Sequence, residues 1–144
     1  MFKAQLRPDL YLSLLEARHA QLIFQAVERD REYLRQWLPW VDRTRSEEDI
    51  ASFILGALER FVSSGEITAG IWCDDHFCGV IGNHKTDRQH AFTQIGYWLA
   101  ADWQQRGIMT EACRALTRHC LVELGLNRVE ILCATENGKS CAIP

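Results

Sequence analysis

The chain has 144 residues, enough for one domain with a sizeable core, and its 47% hydrophobic and 24% charged residues are those of an ordinary soluble globule. A formal net charge of −3 and a pI near 5.9 exclude the broad basic face that nucleic-acid binding uses, so no direct nucleic-acid partner is expected. No apolar run approaches the ~18 residues of a membrane helix and the opening MFKAQLRPDL has no leader-like core, so a cytoplasmic protein is expected, free of membrane, its six cysteines reduced.

Pro8 and Asp9 mark a turn, and residues 11–15 alternate weakly as a first strand. A helical pattern follows with Ala20, Ile23, Phe24 and Val27 on one face. A second helical piece, 31–38, stops at Pro39, because the residue before a proline is pushed out of the helical region. Trp37, Pro39 and Trp40 then make a stiff aromatic connector. Ser46-Glu47-Glu48-Asp49 reads as a capping box, and Ile50, Phe53, Ile54, Ala57, Leu58, Phe61 and Val62 follow at helical spacing until Ser63-Ser64-Gly65 breaks the pattern.

From residue 67 the period changes to that of strands: 67–73, 77–84 and 91–99, joined by turns, predict an antiparallel meander. Cys73-Asp74-Asp75-His76-Phe77-Cys78 places two thiols and an imidazole within six residues, but Asp74-Asp75-His76 also reads as a hairpin turn. A structural zinc site would want a second ligand pair, and no metal is expected. Beyond a polar loop at 100–106 and Gly107, the residues Met109, Ala112, Cys113, Leu116, Cys120 and Leu124 form the buried stripe of an amphipathic helix, with Gly125 and Leu126 as its left-handed cap. Residues 128–134 read as a last strand, parallel to its predecessor through a crossover.

A strand, a polar loop with one glycine and a helix start leave backbone N–H groups free to hold an anion. The dinucleotide fingerprint G-x-G-x-x-G is absent. Gly138-Lys139-Ser140 ends like a nucleotide phosphate loop, but Cys133 stands where that loop needs its first glycine. What remains, Gln104-Gln105-Arg106-Gly107-Ile108-Met109, resembles the acyl-CoA pyrophosphate loop of the GNAT N-acetyltransferases, whose pattern is Q/R-x-x-G-x-G/A; Gln104 and Gly107 match, and Met109 departs at the last position. Met109-Thr110-Glu111-Ala112, Trp37-Leu38-Pro39-Trp40-Val41-Asp42 and Ile95-Gly96-Tyr97-Trp98 are similar to the branch that acetylates protein N-termini, typified by the ribosomal-protein-serine acetyltransferases.

The resemblance implies an α+β (α/β sandwich) fold: a mixed, mainly antiparallel sheet flanked by helices around a strand-loop-helix-strand acyl-CoA core. It implies acetyl-CoA as cofactor, with the pantetheine arm beside Ile95, Gly96, Tyr97, Trp98 and Leu99, and the pyrophosphate on the loop from Gln104 through Gln105, Arg106, Gly107, Ile108 and Met109 to Thr110. Read as residues alone, Gly96 is equally a tolerated glycine in a core strand, Arg106 a solvated loop arginine and Thr110 a helix cap. Asn137 matches a pantetheine-binding asparagine, and Ser140 a hydroxyl, also at the cofactor, placed to protonate the leaving thiolate. His84, at a strand end, is the candidate base because an imidazole titrates near neutrality, although such a histidine is often a plain hydrogen-bonding residue. Trp37, Trp40 and Asp42 match a segment lining the acceptor side; the same tryptophans could cap the core. An α-amine has a pKa of about 7.7–8.0 against about 10.4 for lysine, so an enzyme acting on protein N-termini needs little help from a base.

The expectation is acetyl transfer to the N-terminal α-amine of a protein, with a ribosomal protein as the favoured acceptor. A small-amine (polyamine-type) acetyltransferase and a non-catalytic CoA-binding module are the alternatives. The family continues past this point with a helix and two strands, so a single domain, 1–144, shortened at its C-terminus is expected; the uncovered edge at Val129, Ile131 and Cys133 would then favour a homodimer.

Overall fold

Pro8 and Asp9 turn the chain between two strands, β1 (Ala4–Arg7) and β2 (Leu10–Leu14), where the sequence led us to expect only the second. β1 has no apolar alternation, being an edge strand with its first residues exposed, and periodicity cannot find such a strand. The computed structural model describes residues 3–132, 142 and 143. Within them β3 (Thr68–Cys73), β4 (His76–Asp87), β5 (Phe92–Leu99) and β6 (Arg128–Ile131) complete one sheet in the order β1-β2-β3-β4-β5-β6. Every neighbouring pair is antiparallel except β5 with β6, which is parallel, as a strand-helix-strand order requires. The expected mixed sheet flanked by helices is the observed one, one strand wider.

Among the described residues the α-helices are α1 (Ala20–Arg29), α2 (Arg31–Leu34), α3 (Glu47–Ser64) and α4 (Ile108–Arg118), the last running on through a π-turn at His119–Glu123. α2 is shorter than the expected 31–38. Leu38 still donates to Leu34 O at 3.0 Å, but Pro39 holds Leu38 extended and opens a 3-10 segment, Pro39–Arg43. α3 starts on the expected box: Ser46 Oγ accepts from Asp49 N, and Asp49 Oδ2 accepts from Ser46 N and Arg45 N at 3.1 and 2.8 Å. Such a cap contributes about 1 kcal/mol.

The sheet has two packed faces. α4 buries Ile108, Met109, Ala112, Cys113 and Leu116 against a face that includes Leu10, Leu12, Ile71, Ile81 and Ile95. On the opposite face α1 and α3 place Ile23, Val27, Ile50 and Ile54 against Tyr11, Trp72, Phe77 and Val80. Phe77 and Val80 point the same way because β4 carries an extra residue: Trp72 pairs with Phe77 and Ile71 with Gly79, leaving Cys78 as a bulge that changes the alternation. Here α3 departs from its expected stripe, since Phe53, Phe61 and Val62 are 46%, 40% and 85% exposed.

Asp74 and Asp75 both have positive φ, 49° and 63°, which is what a two-residue hairpin of type I′ demands, and Cys73 pairs with His76 across it. Cys73, Cys78, Cys113 and Cys120 are buried free thiols; burial pushes Cys78 up to about 12 and Cys120 to about 11, so both pack as unreactive small hydrophobes. Gly125 adopts the expected left-handed conformation, φ 69°, and sends Leu126 back into the core, its N–H donating to Cys120 O at 3.1 Å. No helix among the described residues is long and apolar enough to cross a membrane.

Candidate active site

β5 is paired with β6 only over residues 92–95, so residues 96–99 have no strand on that side among the described residues. Past Leu99 the chain makes a 3-10 turn, Ala101–Trp103, and then two left-handed residues, Gln105 at φ 61° and Gly107 at φ 74°. A Cβ on Gly107 would meet no protein atom within 4 Å, so the glycine answers to the backbone conformation and not to crowding. Gly107 begins α4 with no side-chain cap, and the first helical bond there runs from Glu111 N to Gly107 O at 3.1 Å. The amides of Ile108, Met109 and Thr110 therefore lack helical acceptors and point out of the helix end. Thr110, read as a possible cap, is the third residue of the helix, past the N-cap position that Gly107 holds. Arg106 is exposed, its guanidinium 5.0 Å from the Trp103 ring centre.

The corner of α1 and α2 fastens this loop. Asp30 Oδ2 accepts from Ala101 N at 2.8 Å; Tyr33 Oη donates to Gln104 Oε1 at 3.0 Å, while Gln104 Nε2 donates to Leu99 O at 3.3 Å. Neither Asp30 nor Tyr33 was marked out by the sequence, because their partners lie 71 residues away. A left-handed turn, three outward amides and a nearby cation make a donor set suited to pyrophosphate, and the edge at 96–99, unpaired among the described residues, suits an extended amide-bearing arm. The residues present thus fit acetyl-CoA.

Along β5 the side chains divide. Ile95, Tyr97 and Leu99 pack toward α4; Gly96 and Trp98 look into a cleft of about 550 Å³ on the α1/α3 face. Trp40, Leu38, Ile23 and Ile50 wall it, and Val80, Gly82 and His84 of β4 line it from the sheet. Its charged lining is Arg43, Asp49 and Arg60, with the half-exposed Phe53 among them. Sequence reading had seen Asp49 only as a helix cap, and had marked none of Arg43, Phe53 and Arg60 as a site residue.

His84 lies over Gly96: a Cβ there would come within 3.2 Å of His84 Cε1. Burial pushes the imidazole below its ordinary range, Lys85 adds to the push, Glu66 opposes it, Arg60 lowers it further and a hydrogen bond to Gln94 raises it again. The bend that carries the ring is fixed through the backbone. β4 is irregular between His84 and Asp87, with Lys85 at φ 53°, and a buried knot ties this bend: Asn83 Oδ1 accepts from Ile67 N at 2.8 Å, and Thr93 Oγ1 donates to His84 O at 3.0 Å. Thr93 having given its proton, Thr86 donates to it at 2.9 Å, while Thr86 N donates to Glu66 Oε1.

Trp40 is placed by Arg31, whose guanidinium donates to Val41 O at 2.6 Å and Thr44 O at 2.7 Å and so clamps the 3-10 segment. Its ring sits 6.0 Å from that of Trp98, tilted by 53°. Trp37 and Asp42, grouped with Trp40 in the sequence, are not in the cleft lining; Trp37 precedes the 3-10 segment, and Asp42, two residues past Trp40 within it, lies on another side, exposed and paired with Arg35 at 3.1 Å. Asn137 and Ser140 lie outside the described residues. The fold thus brings together His84, Gly96, Trp98 and Trp40.

The model of the acetyltransferase (GNAT) domain matches residues 9–144. The chain is 32% identical over 145 aligned residues to the putative ribosomal N-acetyltransferase YdaF of Bacillus subtilis, covering all of this chain and 79% of that one. It is 28% identical to the ribosomal-protein-serine acetyltransferase of Escherichia coli over 92% of this chain and 74% of that protein. A crystal structure of a probable acetyltransferase, 30% identical, superposes with a TM-score of 0.93 over 99% of this chain and 80% of the other. Domain, relatives and fold agree with the strand, loop and helix, and the chain belongs to the GNAT acetyltransferases, enzymes that use acetyl-CoA as acetyl donor.

Proposed function

We propose that this protein acetylates the N-terminal α-amine of a protein, with a ribosomal protein as acceptor. The observation that carries the reading is the aromatic cleft opening on Gly96 and Trp98, the same strand segment that has no strand beside its other edge among the described residues. Two relatives named for ribosomal acetyltransfer support the acceptor class. A cleft of about 550 Å³ falls in the ~300–1,000 Å³ range of ligand sites, with room for the first residues of a peptide.

Acetyl-CoA supplies the thioester carbonyl and the thiolate that leaves. Trp40 and Trp98 hold the acceptor's first residue against the sheet and exclude water. His84, kept neutral at pH 7 by its lowered pKa, takes the proton that the attacking amine sheds. Since roughly one α-amine in ten is neutral at pH 7, the imidazole has a small task. Ser140, by its match to the family, returns a proton to the thiolate.

Thiol release from acetyl-CoA, measured with a serine-leading peptide, a lysine derivative blocked at its α-amine, and spermidine, tests the proposal. The serine peptide should turn over fastest. Faster acetylation of spermidine or of the lysine ε-amine would overturn it, as would acetyl-CoA binding without any turnover.

A further inference from the structure

The cleft's charges are not equally free. Asp49 keeps its negative charge, but its Oδ2 is fixed on the α3 cap, accepting from Arg45 N and Ser46 N, so the two arginines outnumber it in the lining. Arg60 stands 3.7 Å from Glu66, a buried carboxylate whose other oxygen accepts from Thr86 N. Arg43, at the end of the clamped 3-10 segment, lines the same cleft with no ion pair or side-chain hydrogen bond to any described residue. One unengaged guanidinium, exposed at the cleft mouth, and a second, loosely paired one form a site for a carboxylate: a guanidinium matches it with two parallel N–H donors.

We infer that the cleft selects acceptors carrying a carboxylate close to the reacting amine, an N-terminus followed within its first residues by aspartate or glutamate, with Arg43 as its principal binding group and Arg60 as the second. This inference rests on the reading of the cleft as the acceptor site. The same cations disfavour a lysine-rich N-terminus and a polycation such as spermidine, so selection works by repulsion as well as attraction.

The test uses three peptides differing only at the second residue, Ser-Asp, Ser-Asn and Ser-Lys, with acetyl transfer and binding followed separately. Binding is read from tryptophan fluorescence, since Trp40 and Trp98 line the cleft. In the parent, kcat/KM for Ser-Asp should exceed that for Ser-Asn by about tenfold, ~1.4 kcal/mol, with Ser-Lys lowest. Arg43→Gln should bring the Asp:Asn ratio close to one, and Arg43→Glu should place Ser-Lys above Ser-Asp. Arg45→Gln, which removes a neighbouring exposed charge outside the cleft, should keep the parent ratio. Equal turnover of the three peptides by the parent, or an unchanged Asp:Asn ratio in Arg43→Gln, overturns the inference while leaving α-amine acetylation intact. A binding preference for Ser-Asp that Arg43→Gln abolishes, without acetyl transfer to any peptide, sustains the carboxylate site and sinks the proposed function instead.

Discussion

The two faces of the sheet are made from alternate residues of the same strands, yet one is closed and the other is open. Under α4, Ile108, Met109, Ala112, Cys113 and Leu116 are all at most 5% exposed and meet an unbroken apolar surface. Under α1 and α3 the core is just as tight around Tyr11, Trp72 and Phe77, but it stops at β4 and β5, where Gly82 and Gly96 supply no side chain and Phe53 of α3 stays exposed. Missing side chains on one face leave the cleft, while the continuous stripe on the other fixes the helix that presents the loop amides. One face therefore serves stability and the other chemistry, and perturbations should separate them.

Leu116→Ala should have the largest effect, and on the closed face alone. Removing that buried side chain should cost about 2–5 kcal/mol of stability, read as a lowered denaturant midpoint. The fraction still folded should keep its KM for acceptor peptide. A shifted KM at full folding would break the division of labour. Gly96→Val acts on the open face: its Cβ crowds His84 Cε1 and its methyl groups enter the cleft. We expect kcat/KM to fall about a hundredfold, ~2.7 kcal/mol, with no loss of thermal stability, because valine suits a strand better than glycine. Unchanged activity would mean that the acceptor lies elsewhere.

His84→Gln should have the smallest effect, about tenfold on kcat/KM, at the low end for a general base because the α-amine is already partly neutral. The pH profile discriminates more sharply. In the parent, activity falls with falling pH along the amine's own limb and again as His84 takes a proton, below the ordinary histidine pKa near 6.5 because burial lowers it. The glutamine variant should keep only the amine limb. An identical profile in both would leave His84 a structural residue.

Legibility in the sequence followed the same division. α4, its Gly125 cap, the meander and the Ser46 box were readable because each depends on local spacing or on one turn residue. β1 escaped as a short polar edge, and the exposed side of α3 was misread because Phe53, Phe61 and Val62 keep helical spacing without a partner to cover them. At the site, the loop could be read from Gln104 and Gly107 in order. The grouping of Trp37, Trp40 and Asp42 could not be resolved, since which of Trp40 and Asp42 faces the sheet depends on the long-range clamp of the 3-10 segment by Arg31, and Trp37 lies before that segment. Asp30, Tyr33 and Arg43 gain their roles only through contacts or a cleft formed by distant segments.

The central claim is that acetyl-CoA docks along residues 96–99 of β5 and the acceptor enters from the α1/α3 face. The most direct measurement is a crystal structure with a conjugate joining the CoA sulfur to the α-amine of a serine-leading peptide through an acetyl bridge. The account predicts pyrophosphate on the amides after Gly107, the bridge beside Gly96 and the peptide between Trp40, Trp98 and His84. A peptide leaving along the α4 face, or a cleft left empty of it, would contradict the account.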